Sequence, residues 1–127
     1  MKKTILSAVF TAAMLLVTSC NSENQVVNTV ENLKTAEMKD FDKAFRNLGK
    51  PENRPTAEER RSGSAELSDR RKLTLVPASK ALIKSTGVTD TEIQRKTNGD
   101  ITEIIVWAIQ INQEKNASIQ KSLKSEN

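Results

Sequence analysis

Apolar side chains fall into three blocks along the chain, separated by stretches that carry almost none. The first block, Ile5 to Val17, is uncharged and mostly apolar without interruption. In the second, Val26, Val30, Leu33, Met38, Phe41, Phe45 and Leu48 recur at spacings of three to five, which predicts one face of a helix over 26–48. The irregular step around Ala36 predicts a break near Thr35 or Asp40. Gly49 and Pro51 then supply a helix stop.

The third block starts at Leu73. Pro77 is placed to open a helix that Gly87 closes, with Ala78, Ala81, Leu82 and Ser85 expected to face inward. Thr89-x-x-Glu92 fits a capping box ahead of a short helix that stops at Gly99, and Asp100-x-x-Glu103 fits the same pattern with Asp as the cap. Residues 101–111 hold seven β-branched side chains behind Asn98-Gly99, a hairpin signal that leaves a strand open as an alternative. Against the strand, Ile104, Ile105, Val106 and Trp107 run consecutively, and the preceding segment has no alternating partner to offer. As a helix, Ile101, Ile104, Ile105, Ala108 and Ile111 form a wide stripe, with Val106 and Ile109 off it.

Between the second and third blocks, Lys50 to Lys72 holds 12 charged residues, two prolines and only one large aliphatic, Leu67. So little apolar surface does not offset the entropy of ordering the chain, which predicts a flexible linker with one helical turn between Pro55 and Gly63. The predicted fold class is mainly α: an N-terminal helix, a polar linker and a small C-terminal bundle of about three helices. The alternative is a small α+β domain in which the final apolar segment is a strand. By residue, the expected order is a leader over 1–19, a tether over 20–25, a helix over 26–48 and the linker over 49–72. A helical domain over 73–116 and a polar tail over 117–127 follow.

The first block explains the only cysteine. Ile5 to Val17 is 13 residues, about 20 Å as a helix and short of the ~30 Å hydrocarbon core. With Lys2 and Lys3 ahead of it, the run reads as the apolar centre of a secretory signal peptide. Val17-Thr18-Ser19 followed by Cys20 resembles the lipobox of bacterial lipoprotein precursors. That resemblance covers residues 1–20 alone. It implies a thioether between the Cys20 sulfur and diacylglycerol, cleavage between Ser19 and Cys20, and an N-acyl chain on the freed amine. Two chains at ~0.8 kcal/mol per buried methylene hold stably. Asn21 in place of Asp implies the periplasmic face of the outer membrane, if the cell is Gram-negative.

Charge and composition then narrow the chemistry. Without residues 1–19 the chain has 18 basic and 16 acidic residues, a net charge near +2, so nucleic acid is not an expected partner. There is no His and no Tyr, and the only Cys is assigned to lipid. The usual general base near neutral pH, Cys/His metal sites and His-dependent triads are thereby removed, so no enzyme activity and no cofactor or metal is expected.

Ser118-x-x-Lys121 matches the S-x-x-K motif of penicillin-binding enzymes to the letter. Its nearest companions, Ser68-Asp69-Arg70 and Lys84-Ser85-Thr86-Gly87, stand before it in the chain, whereas that family has them after. A Ser-Lys hydrolase is the remote alternative, and a solvated helix end the preferred reading. Arg60, Arg61, Arg70, Arg71 and Lys72 form two basic clusters that anionic lipid headgroups or an acidic partner could contact, though interleaved acids favour self-neutralisation. Trp107, the only tryptophan, is read as core or as an interface anchor, with core preferred. The expectation is a lipid-anchored envelope protein acting as a non-catalytic binding or adaptor subunit, with membrane lipid and one protein as partners. An inhibitor or immunity protein against a toxin or hydrolase is the alternative.

Overall fold

The computed structural model describes residues 30–125, and the chain divides into two compact units, Met1–Leu33 and Lys34–Asn127. Within the first unit, residues 30–33 are helical. The lipobox, the tether and the helix start at 26 lie outside the described residues.

The second unit is a small helical bundle, and no strand occurs among the described residues. Helix α1 spans Ala36–Asn47. The expected break falls at Thr35, whose Oγ1 accepts a hydrogen bond from the Met38 N–H at 3.4 Å. Its buried face is Met38 and Phe41, and Phe41 meets Phe45 edge-on with ring centroids 5.0 Å apart. After α1 come a 3-10 turn at Pro51–Asn53, then α2 (Ala57–Arg61), α3 (Asp69–Leu73), α4 (Val76–Lys84), α5 (Asp90–Thr97) and α6 (Ile101–Ser125).

Residues 101–111 are helix, which closes the strand alternative. Four of the five stripe positions are buried and Ile101 is half-buried, whereas Val106 is 46% exposed. Asn98 and Gly99 at φ +50° and +78° turn the chain between α5 and α6; the positive φ values are those an Asn-Gly hairpin turn also uses, here spent on ending one helix before the next. Asp100 then starts α6, its Oδ1 accepting the Glu103 N–H at 2.9 Å. Thr89 and Glu92 form the full capping box expected for α5.

One core joins these helices. Met38 and Phe41 from α1, Leu82 and Ile83 from α4, Ile93 from α5, and Ile104, Ala108 and Ile111 from α6 make a continuous apolar cluster. α4 lies between α1 and α6 and packs most extensively on α6. The N-terminal helix is therefore part of the bundle. Across the α1–α6 approach, Asn112 Nδ2 donates to Asp42 Oδ1 at 3.1 Å, and Lys34 Nζ pairs with Asp42 Oδ2 at 2.6 Å.

Three expectations are corrected. Leu82 is buried and Ala78 half-buried against the core as expected, but the rest of the inward face of α4 is Ser79 and Ile83, continuing from fully buried Leu75, while Ala81 and Ser85 face solvent. Leu75 sets that register, and a stripe at 75, 79, 82 and 83 is hidden by the serine in its middle. The polar tail is not separate either. α6 continues to Ser125, with Ile119 half-buried against the core cluster. Finally, residues 49–72 are more ordered than a flexible linker with one helical turn between Pro55 and Gly63, although that turn is present as α2. They carry the 3-10 turn, α2 and most of α3, and Lys72 is only 8% exposed. Polar and ionic anchors order this segment where apolar burial could not.

Candidate functional site

Two surfaces collect the residues singled out in the sequence. The first lies where α5 meets the start of α6. The turn at Asn98-Gly99 brings the last turn of α5 alongside the first turns of α6, and Lys96 Nζ sits 4.0 Å from the centroid of the Trp107 ring. A shallow depression of about 250 Å³ opens there, floored by Val106 and Trp107 and rimmed by Lys96, Thr102, Glu103 and Gln110. Trp107 is half-buried: it packs against the core cluster and also lines the open depression. It is therefore neither fully enclosed core nor a fully exposed side chain.

The second surface is built by α3, whose three consecutive basic residues each reach a different part of the segment before it. Arg71 donates from Nε to the Asn53 carbonyl at 2.9 Å and from Nη2 to the Leu48 carbonyl at 3.3 Å. Arg70 donates from Nη2 to the Arg54 carbonyl at 2.9 Å, and grips Glu59 from Nε and Nη2 at 3.3 and 3.1 Å. Lys72 Nζ pairs with Glu66 and donates to Thr102 Oγ1 on α6 at 3.0 Å. An open depression of about 450 Å³ lies between this segment and α3, lined by Glu59, Arg60, Glu66, Ser68 and Lys72 among others.

Electrostatics follow from these contacts. The Arg70 guanidinium, then the Ser68 hydroxyl and the Thr56 N–H, pull the Glu59 carboxyl down to about 2. The Glu66 carboxylate, ahead of the other nearby acids, raises Lys72 above its ordinary value and holds it as an ammonium. A lysine kept charged in this way is a tether and a poor nucleophile.

The four arginines therefore divide. Arg70 and Arg71 are spent on internal hydrogen bonds, whereas Arg60 and Arg61, at the end of α2, are exposed. Of the four, Arg70 is paired with an acid, Glu59, and Arg71 with backbone carbonyls, a division the interleaved acids did not foretell. The Thr56-x-x-Glu59 capping box was legible as well, having the same form as Thr89-x-x-Glu92.

Ser118 and Lys121 lie exposed on the last turns of α6. Their supposed companions are occupied locally: Lys84 Nζ pairs with Asp90 at 2.6 Å, and the Ser85 and Thr86 hydroxyls donate to the Leu82 and Ile83 carbonyls. Among the described residues no helix is long and apolar enough to cross a membrane, and no cluster of acidic, Cys or His side chains is placed to hold a metal ion. Ser19 and Cys20 lie outside the described residues. No protein-family model, curated protein or solved structure matches the chain.

Proposed function

We propose that this chain is a lipid-anchored protein of the bacterial cell envelope whose helical domain is a non-catalytic binding or adaptor subunit. One observation carries the anchoring: Cys20 stands directly after Val17-Thr18-Ser19, an uncharged apolar run and a pair of lysines, in the order and spacing of a lipoprotein leader. Thiolate chemistry accounts for a single cysteine in an exported chain, where it has no intramolecular partner for a disulfide. On this reading the membrane lipid is held by acyl chains on residue 20, on the periplasmic side of the outer membrane if the cell is Gram-negative.

For the binding role, the supporting feature is the depression beside Trp107. It offers Val106 and the part of Trp107 that lines it as apolar area, with Lys96, seated over the indole, and Glu103 to orient a partner. Cells fed a fatty-acid analogue should label the wild-type protein, and Cys20→Ala should abolish the label and release the protein from the membrane fraction. An unlabelled wild type refutes the anchor. For the partner, a soluble form beginning at Asn21 should capture subunits of an envelope assembly from solubilised membranes, and Trp107→Ala should lose them while remaining folded.

A further inference from the structure

The segment from Gly49 to Ser68 crosses the surface without burying a single residue: every side chain along it is exposed or half-buried. What fixes it is polar. At its root the Gly49 and Lys50 N–H groups donate to the Arg46 and Asn47 carbonyls and Asn53 Nδ2 donates to the Asn47 carbonyl at 2.9 Å, and the other side-chain anchors come from Arg70, Arg71 and Lys72 on α3. These three sit at successive points, so Arg71 holds the root of the segment, Arg70 its middle and Lys72 its end. The bundle beneath is held differently, by Leu75, Leu82, Ile83 and Ala108 at 0% exposure.

We propose that residues 49–68 are a strap that lifts from the helical bundle as one unit, latched by the Arg70-Arg71-Lys72 run, while the bundle itself stays folded. Three physical facts support this. Ion pairs with an exposed or half-exposed partner, as in Arg70–Glu59 and Lys72–Glu66, contribute little each and weaken in salt, whereas apolar burial does not. The helix inside the strap, α2, is a single turn of five residues, too short to persist without docking, so its hydrogen bonds report on the latch. Opening also has a consequence. It strips Arg70 of its partners and Arg71 of the Asn53 carbonyl, leaving Arg71 only its bond to the Leu48 carbonyl, and so frees consecutive cations at the surface.

Native-state hydrogen exchange on the processed full chain tests the idea. The amides of Arg60 and Ser62, which donate to the Thr56 and Glu58 carbonyls, should exchange at least about 100-fold faster than core amides such as those of α4 and α6. They should nevertheless be at least about tenfold slower than in an unstructured chain. Arg71→Gln should raise strap exchange about tenfold and leave α4 and α6 unchanged, and 0.5 M salt should move the wild type in the same direction. Arg70→Gln, which removes only the middle anchor, gives a milder version should Arg71→Gln prove unstable. Strap amides that exchange with the core, that show no protection, or that respond to these variants only together with α4 and α6 would each overturn the proposal.

Discussion

The ammonium of Lys96 lies 4.0 Å from the centre of the Trp107 ring, a cation–π contact that joins the last turn of α5 to the second turn of α6. It lies over the face of an indole that also packs against the core cluster. The same side chain thus helps hold two helices together and defines the floor of the candidate binding depression.

Being half-buried, Trp107 should contribute less than a fully enclosed tryptophan, for which truncation to Ala costs about 3–5 kcal/mol. The expected loss for Trp107→Ala is about 2 kcal/mol, and for Lys96→Ala about 0.5–1 kcal/mol, by urea denaturation. Because the chain has one tryptophan, its fluorescence reports this site alone. Lys96→Ala should increase quenching by iodide. A loss from Trp107→Ala in the range for a buried tryptophan would show it to be core in the ordinary sense.

Ser79 is buried at 0% exposure on α4, and its hydroxyl has no hydrogen-bond partner. A buried hydroxyl without a partner costs about 1–3 kcal/mol, and alanine is also the better helix former. Ser79→Ala should therefore raise stability by about 1 kcal/mol, seen as a higher urea midpoint at unchanged slope. A lower midpoint would show that the hydroxyl is satisfied in solution.

Ser79 also shows where the sequence could and could not be read. The helices after Leu73 were legible because caps and stops agreed with apolar spacing, as at Thr89, Glu92, Gly99 and Asp100. The register of α4 was not, since one small polar residue stood on its buried stripe. The segment before α3 was harder still. Composition correctly excludes an apolar core for residues 49–68, but the bonds from Arg70 and Arg71 to the Arg54, Asn53 and Leu48 carbonyls depend on backbone positions that no residue pattern encodes. Trp107 was read as core in preference to an interface anchor because its flanks, Val106 and Ala108, are apolar, but Val106 is 46% exposed and Trp107 itself is half-buried.

Acid should loosen the Glu59–Arg70 contact. Glu59 is held at about 2 against an ordinary value of 4.5, first by Arg70 and then by the Ser68 hydroxyl and the Thr56 N–H. A carboxyl whose folded value is depressed adds stability above its unfolded value and loses it as the pH falls toward the folded one. Its contribution is complete above about 4.5 and disappears between there and about 2. A carboxyl-carbon titration by NMR should show Glu59 still ionised at pH 3.5, and Arg70→Gln should bring its midpoint back toward 4.5. A Glu59 midpoint unaffected by Arg70→Gln would assign the depression to other groups.

Gly99 gives the sharpest test of the α5–α6 turn. Its φ of +78° lies where a side chain is strained whatever room it has, and an added Cβ would come 2.9 Å from Gln94 Nε2. Gln94 is exposed and its end can swing aside, so the cost should be that of the backbone, about 1–2 kcal/mol for Gly99→Ala. Gly49 is the control: it lies at ordinary φ, with its nearest contact, the Arg46 carbonyl, at 3.5 Å. Gly49→Ala should change stability by less than about 0.5 kcal/mol. Since the Gly99 turn sets how α5 lies on α6, Gly99→Ala should also shift Trp107 emission, which Gly49→Ala should leave in place. Equal losses from the two substitutions, with no spectral difference between them, would mean that the turn does not hold its left-handed geometry.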